Sequence, residues 1–146
     1  MGERLAVFFD IGDTLASPVL TGGQLSGLDV YPFVPEVLDG FGDPDVVLGL
    51  ISNTPATETA QSMRAFLDDA GLLDRFQDEL LLFSSVEGLD KSDPAFFDLA
   101  RQRAGVAAGR CLFVGESEAE RTVAEAAGFM VSPHPLHALH LVREEP

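Results

Sequence analysis

The stretch LAVFFDIGDTL, residues 5–15, places two carboxylates directly after a run of apolar residues. Asp10 follows five apolar residues, and Gly12 lies between it and Asp13. An ionised carboxylate at the end of a buried strand can act as a nucleophile and divide a difficult reaction into two steps through a covalent intermediate. The chemical question posed by the sequence is whether Asp10 is such a nucleophile or only the remnant of one.

Three further polar sites follow apolar runs later in the chain. Ser52 and Asn53 end or follow the run VVLGLIS, Lys91 comes after ELLLF and a short connecting segment, and Glu116 comes after CLFVG. A hydroxyl with an amide, an ammonium and another carboxylate therefore share the setting of the first site. Each is expected near the end of a strand.

Short apolar runs alternate with helical patterns along the chain. Continuous apolar runs suit strands that are covered on both faces, as in a parallel sheet. Their alternation with helices predicts an α/β fold, a three-layer, doubly wound (Rossmann-like) parallel sheet of about five strands. Ligands of such sheets bind beyond the carboxyl ends of the strands, so the four polar sites are predicted to converge on one edge. The apolar runs are LAVFF, VVLGLIS, ELLLFS, CLFVG and FMVS.

Two helices are predicted in the middle of the chain. In residues 56–70 apolar side chains recur at spacings of three and four, which is typical of an amphipathic helix. Thr54 with Pro55 resembles its cap and first turn. In the next helix Asp93 is predicted to cap the free amides, and the helix is predicted to stop near Gly105.

Two more helices are predicted toward the C-terminus, over residues 117–127 and 136–143. The sequence SEAE at the start of the first of these is a capping box, in which Ser117 caps the helix and Glu120 reaches back to it. The segment 16–33, punctuated by Gly and Pro, is predicted to be a long loop or a small hairpin flap.

Composition limits the classes of partner. With 146 residues, 46% of them hydrophobic, the chain is the size of a single domain spanning residues 1–146. The chain has only 9 Lys and Arg residues but 24 Asp and Glu residues, so its surface carries a strong negative field. This field repels nucleic acid and anionic membranes, and both are excluded as partners. No apolar segment approaches bilayer length and the N-terminus does not resemble a secretory signal, so a cytoplasmic protein is expected.

Four segments, in this order, resemble the motifs of the haloacid dehalogenase (HAD) superfamily of aspartyl phosphohydrolases. FFDIGDTL resembles the first motif, written DxDxT, and LISNTP resembles the second, a strand that ends in Ser or Thr. GLDKSDPAFF resembles the third motif, which surrounds a lysine, and CLFVGESEAERTVAEAAGF resembles the acidic fourth. The resemblance extends from residue 5 to about residue 129 and implies a HAD-like hydrolase.

The resemblance implies a role for each polar residue. Asp10 corresponds to the nucleophile that forms a phosphoaspartate. Mg²⁺ is the implied cofactor, and the implied ligands are Asp10, the main-chain carbonyl of Gly12 and Glu116. The residues that would bind the substrate's phosphoryl group are Ser52, Asn53 and Lys91, of which the lysine is also the fixed cation that balances the nucleophile.

Two motifs depart from the family pattern. At Gly12 family phosphatases usually carry a second Asp that acts as acid and base, and such proton transfer contributes ~10²–10⁴-fold in rate. Asp13 lies one residue further on and can replace that acid only if the flexible glycine redirects the backbone. Glu116 and Glu120 stand where Asp is usual; we assign Glu116 to the metal and Glu120 to the helix cap.

The predicted function is therefore a weakly active, Mg²⁺-dependent phosphatase acting on a phosphorylated small molecule or a protein-borne phosphate. The 42 positions from Asp10 to Ser52 and the 39 from Ser52 to Lys91 leave no room for a cap domain. A neighbouring subunit of a homo-oligomer could close the open cleft.

Other functions are weighed against the phosphatase. The alternative is a catalytically inactive HAD-like domain that binds a phosphate compound or a protein partner, which Gly12 and the two Glu replacements favour. Dehalogenases and phosphonatases of the superfamily depend on cap residues, which this chain lacks. A phosphorylated receiver domain would need an acceptor Asp at the end of the third strand, where the sequence has LLFSS.

Overall fold

The first strand, β1 (Leu5–Phe9), forms the centre of a parallel sheet, which explains why its sequence is continuously apolar. The structure is a computed structural model that describes residues 4–144. Strands β4 (Val46–Ser52) and β6 (Cys111–Val114) pair with β1 in parallel on either side. No residue of β1 is more than 3% exposed, because strands cover both of its edges and helices cover both of its faces.

Helices separate the strands of the main sheet, as predicted, and the additional strand pair β2–β3 follows β1. The other strands are β2 (Ala16–Thr21), β3 (Gln24–Val30), β5 (Leu81–Phe83) and β7 (Met130–Ser132). The helices are α1 (Val34–Asp39), α2 (Ala60–Asp69), α3 (Ser84–Glu87), α4 (Pro94–Ala104), α5 (Glu118–Ala126) and α6 (Pro135–Glu144). Short 3₁₀ turns lie at Leu73–Arg75, Asp78–Leu80 and Ala108–Arg110.

The five-stranded sheet has the order β5-β4-β1-β6-β7, and its four pairs of neighbouring strands are all parallel. Chain order runs outward from β1 in both directions, so the order reverses beside β1. This is a topological switch point, where crossovers leave a crevice at the carboxyl ends of the strands. The predicted three-layer, doubly wound α/β fold is confirmed.

Alternate residues of β1 point into two separate cores. Val7 and Phe9 pack in one core with buried residues of α1, α2 and α6. Ala6 and Phe8 pack in the other core with residues of α4 and α5. The sheet is therefore the middle one of three layers, and its central strand is fixed in register from both sides.

The helix predictions are largely confirmed. The predicted cap at Asp93 is present, with Oδ1 accepting a hydrogen bond of 2.9 Å from the Ala95 amide, and α4 ends at Gly105 in a left-handed conformation. Helix α2 begins later than predicted, because Thr59 rather than Thr54 is its cap. Helix α1 was not predicted from the sequence; it is only one and a half turns long, too short to display an apolar period.

The predicted flap is an antiparallel hairpin formed by β2 and β3, with Gly22 and Gly23 at its turn, both at positive φ. Only this hairpin and α1 lie between β1 and β4, so no cap domain is inserted after the first strand. No helix between residues 4 and 144 is both long enough and apolar enough to cross a bilayer.

Candidate functional site

Asp10 directly follows β1 and continues its hydrogen bonding, since its amide donates to the Val114 carbonyl at 2.9 Å. The residue is 8% exposed. Its Oδ1 accepts hydrogen bonds from the Ile11 amide at 2.9 Å and from Lys91 Nζ at 2.6 Å. Among residues 4–144 no hydrogen bond is directed at the other oxygen, Oδ2. One oxygen is therefore fixed in place while the second is available to a ligand.

Lys91 is buried, at 2% exposed, and lies between two carboxylates. Its Nζ is 2.6 Å from Asp10 Oδ1 and 2.9 Å from Glu120 Oε1, and it lies 5.7 Å from the centre of the Phe113 ring. The Lys91 amide donates to Asn53 Oδ1 at 3.0 Å, which fixes the backbone beneath the ammonium. A buried ammonium with two carboxylate partners forms a rigid charged cluster, which we call the Asp10–Lys91–Glu120 cluster.

The structure corrects half of the capping-box prediction. Ser117 caps α5 as predicted, and its hydroxyl accepts a hydrogen bond of 3.3 Å from the Glu120 amide. The Glu120 carboxylate does not return to the Ser117 amide. It forms an ion pair with Lys91, and its Oε1 is buried without an aligned hydrogen bond within the described chain. The Lys91 ammonium, which is distant in sequence, attracts the Glu120 carboxylate more strongly than the neighbouring Ser117 amide does.

The environment of Asp10 affects its ionisation. Burial raises the pKa of the Asp10 carboxyl above its ordinary value, and the neighbouring Lys91 ammonium opposes the shift. The Glu120 carboxylate adds to the increase in pKa. Because Asp10 and Glu120 share the Lys91 ammonium, its attraction lowers the pKa of Asp10 by less than burial raises it.

Ser52 and Asn53 lie at the carboxyl end of β4, beside the cluster. Ser52 is 4% exposed, and its hydroxyl donates a weak hydrogen bond of 3.4 Å to the Asn53 carbonyl. Thr54, predicted to cap a helix, instead binds the start of α3: its amide donates to Ser84 Oγ at 2.8 Å, and its hydroxyl lies 2.6 Å from Ser85 Oγ. These hydrogen bonds fix the carboxyl end of β4 against that of β5.

Gly12 and Asp13 form the turn after the nucleophile candidate. A Cβ built on Gly12 would meet nothing within 4 Å, so this position opens into free space. Asp13 adopts a φ of 61°, a left-handed conformation that Asp tolerates better than most residues. It is exposed, and its amide donates to the Ala16 carbonyl at 3.0 Å. The Asp13 side chain thus lies at the surface of the turn.

Glu116 is exposed, and the structure joins its backbone to the first turn. The Glu116 amide donates to Thr14 Oγ1 at 3.3 Å, and Thr14 itself is buried at 3% exposed. Gly115 permits the close approach of these segments, because a Cβ there would lie 3.5 Å from Asp10 Cβ and 2.8 Å from the Phe113 ring. The carboxyl ends of β1 and β6 therefore meet at the predicted metal position.

Two cavities adjoin these residues, and Asn53 belongs to the lining of both. One, of about 290 Å³, opens onto the charged cluster. Its lining consists of Asn53, Lys91, Ser92, Ser117, Ala119, Glu120 and Val123. The other, of about 270 Å³, lies beneath the hairpin and is mostly apolar; Gly12 and Ser52 belong to its lining. Asp13 lines neither cavity.

Comparison with protein families decides the identity of this arrangement. The sequence model of a hydrolase family described as haloacid dehalogenase-like matches residues 23–128. The chain belongs to the haloacid dehalogenase-like hydrolases. The match contains Ser52, Lys91 and Glu116 but begins after Asp10, so the divergent first motif of this HAD-like hydrolase stands outside it. A comparison with curated protein sequences gives no significant match.

Solved structures share the fold of this HAD-like hydrolase. An uncharacterised protein from Listeria monocytogenes superposes with a TM-score of 0.77 at 16% identity, covering 97% of this chain and 99% of that one. L-2-haloacid dehalogenase from Xanthobacter autotrophicus gives 0.75 at 14% identity, with 98% and 100% covered. A HAD phosphatase from Thermococcus onnurineus gives 0.67 at 21% identity, with 81% of this chain and 60% of that one covered. At these identities the similarity shows the fold alone.

Sequence reasoning missed two residues that shape the site. The Thr14 hydroxyl connects the first and fourth motifs through the Glu116 amide, and the T of the family pattern DxDxT already marked this residue. Glu120 was assigned to a cap, although it stands, like Glu116, where the fourth motif usually carries Asp, and this could have indicated a second acidic residue facing the sheet edge.

Proposed function

We propose that this HAD-like hydrolase is a Mg²⁺-dependent phosphomonoester hydrolase that acts through an aspartyl phosphate on Asp10. The observation that carries the proposal is the state of Asp10 at the switch point of the sheet: Oδ1 is held by Lys91 and the Ile11 amide, and Oδ2 is free of hydrogen bonds from the described residues. A nucleophile needs this combination of fixed orientation and one available oxygen.

The reaction is proposed to proceed in two steps. Asp10 Oδ2 attacks the phosphorus, the bond to the ester oxygen breaks, and that oxygen leaves with the electron pair and takes a proton. Water then attacks the phosphorus of the aspartyl phosphate, the bond to Asp10 breaks, and inorganic phosphate and the free carboxylate are restored. Lys91 stabilises the charge on the phosphoryl oxygens, and Ser52 and the Asn53 amide donate hydrogen bonds to them.

The donor set fits Mg²⁺, which is usually bound by one or two carboxylates together with waters and phosphate oxygens. Asp10, the Gly12 carbonyl and Glu116 would be its ligands. Lys91 already faces two carboxylates, so a dianionic phosphate needs further positive charge. When bound, the ion would supply that charge.

We propose that activity is weak because position 12 carries no acid. The leaving oxygen must take its proton from water, and the attacking water loses its proton without a positioned base. Such proton transfer is typically worth ~10²–10⁴-fold in rate. Asp13 remains a candidate for this role only if the turn rearranges when substrate binds, because its side chain lies at the surface.

The test is hydrolysis of p-nitrophenyl phosphate with Mg²⁺ and with a chelator, by the natural chain and Asp10→Asn. We expect slow, Mg²⁺-dependent turnover that falls about 10⁴-fold in the variant, as expected for loss of a nucleophile. Asp68→Asn, at an exposed position of α2, is the matched control and should behave as the natural chain. Full turnover by Asp10→Asn would contradict the mechanism.

An inactive phosphate-binding domain is the second candidate, and two observations favour it. Gly12 lacks the acid side chain, and the Lys91 ammonium is already engaged by Asp10 and Glu120. In this function phosphate or a phosphorylated partner binds without turnover. Binding of vanadate or phosphate by a chain that hydrolyses no phosphomonoester would favour this candidate over the hydrolase.

A further inference from the structure

The hairpin of β2 and β3 has one apolar face, and that face covers a cavity. Two cross-strand pairs on this face, Pro18 with Leu28 and Leu20 with Leu25, line the cavity together. Leu20 is nevertheless 61% exposed. A leucine left in this position is not explained by core packing, because more than half of its surface still faces water.

The opposite face of the hairpin is different. Thr21 Oγ1 lies 2.9 Å from Ser26 Oγ, and Ser26 Oγ also donates to the Val19 carbonyl at 3.2 Å. Val19 is 43% exposed and does not line the cavity. The hairpin therefore turns its paired apolar side chains toward the cavity and its polar side chains away from it.

The remaining walls of the cavity are uncharged. Its volume is about 270 Å³, close to the lower limit of ~300 Å³ for small-molecule pockets, which suits a group of one or two rings. Ile11, Pro55 and Met63 add further apolar lining from outside the hairpin, and no residue of the lining carries a charge. The polar residues of the lining, Ser52, Asn53 and Thr54, follow one another at the end of β4, so a charged or polyhydroxylated group held among the hairpin leucines would lose hydration without gaining a partner there.

The cavity reaches the proposed phosphate site through three residues. Gly12, Ser52 and Asn53 belong to its lining, and these are the residues beside Asp10. A Cβ on Gly12 would meet nothing within 4 Å, so no protein atom crowds this part of the lining. A group held in the cavity would therefore lie next to Ser52 and Asn53, the residues proposed to bind the phosphoryl group.

We propose that the substrates are phosphate monoesters of apolar phenols, with the aromatic ring bound beneath the hairpin. This inference rests on the proposed phosphatase function and names its substrate class. Two independent features lead to it: the cavity selects an apolar group, and the missing acid at Gly12 selects a leaving oxygen that departs without a proton. A phenol, with a pKa of about 10, leaves far more readily as an anion than an aliphatic alcohol does.

In the first step the bond between phosphorus and the phenolic oxygen breaks as Asp10 Oδ2 bonds to phosphorus. The electron pair leaves on the phenolate, which takes a proton from water at the open edge of the cavity. No oxidant, reductant or further co-reactant is needed.

The first experiment measures binding without turnover. Isothermal titration calorimetry in the presence of Mg²⁺ compares 1-naphthylmethylphosphonate with methylphosphonate, which differ in the aromatic group. We expect the natural chain to bind the naphthyl compound at least about 30-fold more tightly, from burial of an aromatic surface. Leu20→Ser should reduce this preference about fivefold, whereas the matched Val19→Ser, on the outer face of the same strand, should leave it unchanged.

The second experiment separates the shape of the leaving group from its chemistry. Phenyl phosphate and cyclohexyl phosphate have similar apolar rings but different leaving oxygens, and glycerol phosphate has a polar one. We expect phenyl phosphate to be hydrolysed at least about 100-fold faster than cyclohexyl phosphate, since only the latter needs the missing acid.

The outcomes distinguish this inference from the proposed function. Equal binding of the two phosphonates, or equal effects of Leu20→Ser and Val19→Ser, would overturn the aromatic pocket. Hydrolysis of glycerol phosphate as fast as phenyl phosphate would overturn the substrate class while leaving the phosphatase intact. Preferential naphthyl binding with no hydrolysis of any ester would overturn the phosphatase, and with it the assignment of a substrate, while keeping the pocket.

Discussion

The charged cluster and the apolar cavity are neighbours, but they consist of different types of residue. In the Asp10–Lys91–Glu120 cluster a lysine only 2% exposed is held by two carboxylates. The cavity beneath the hairpin contains no charged residue in its lining. Gly12 lies at the boundary between the cluster and the cavity, since it follows Asp10 by two residues and lines the cavity. The proposed function and the proposed substrate class therefore assign phosphoryl chemistry to the sheet edge and leaving-group recognition to the flap.

Neither region is the arrangement that would contribute most to the stability of the folded protein. A buried ion pair is often no more stabilising than well-packed apolar residues of the same size, because its charges lose their hydration. An open apolar cavity likewise forgoes the packing that a filled core would have. Regions that depart in this way from the rules of stable packing are where functional sites are expected. The comparison can be tested from either region and from their boundary.

Removing the cation should have the largest effect on stability. Lys91→Met leaves the carboxylates of Asp10 and Glu120 buried close together without a positive charge, which should lower the free energy of unfolding by about 3–5 kcal/mol. Urea unfolding measures the change. The double variant Lys91→Met/Glu120→Gln removes one of the two stranded charges and should recover part of the loss. A Lys91→Met protein as stable as the natural chain would show that the cluster is not the charged, buried unit described above.

Placing an acid at the boundary should have the next largest effect. In the double variant Gly12→Asp/Asp13→Gly the new carboxylate enters space that the structure leaves empty, and the left-handed position with φ of 61° receives a glycine. We expect turnover of an alkyl phosphate to rise about 100-fold, or ~2.7 kcal/mol of barrier. Steady-state kinetics on cyclohexyl phosphate measures it. An unchanged rate would mean that position 12 does not face the leaving oxygen.

The single variant Asp13→Gly decides the role of Asp13. If this residue belongs only to the turn, the variant should gain about 1 kcal/mol in unfolding free energy, since glycine adopts the left-handed conformation without strain. If Asp13 supplies the missing acid, turnover should fall instead. Thermal unfolding and steady-state kinetics on the same preparation give the two answers together.

The smallest effect concerns the ionisation of the nucleophile candidate. In metal-free protein the Asp10 carboxyl should titrate above its ordinary pKa, because burial outweighs its pairing with Lys91. Its contribution to the unfolding free energy should thus be greatest at low pH and decline as the pH rises from the unfolded pKa through the higher folded pKa. Titration of the side-chain carboxyl carbon by NMR measures this shift. Added Mg²⁺ should lower the pKa if Asp10 is a metal ligand; no response would exclude it from that role.

The convergence of the four polar sites could be predicted because it follows from topology. Once the apolar runs are assigned to parallel strands joined by helices, their carboxyl ends must meet at one edge. The sequence predicts this position for Asp10, Ser52 and Lys91, and the structure brings Asp10 and Lys91 into direct contact. Helix α4 was equally predictable, because Asp93, Pro94 and Gly105 act within a few residues of the backbone groups that they satisfy or release.

The errors concern groups that had both a local and a distant partner. The sequence SEAE would satisfy a capping box locally, yet the Glu120 carboxylate pairs with Lys91, 29 positions earlier in the chain. Thr54 before Pro55 would suit a helix cap, yet it binds Ser84 and Ser85 of the next crossover. A local sequence pattern shows only the nearby partner, because the distant partner is brought close by the fold.

The sequence by itself determined the order of strands and helices, the ends of most helices and the edge of the sheet at which the polar residues meet. These features depend on apolar period and on backbone groups a few residues away. Only the tertiary structure decided that Lys91 is shared by two carboxylates, and that paired leucines and a proline of the flap enclose an uncharged space beside Asp10. Those features depend on contacts such as that between Asp10 and Lys91, 81 positions apart, whose strength is set by burial.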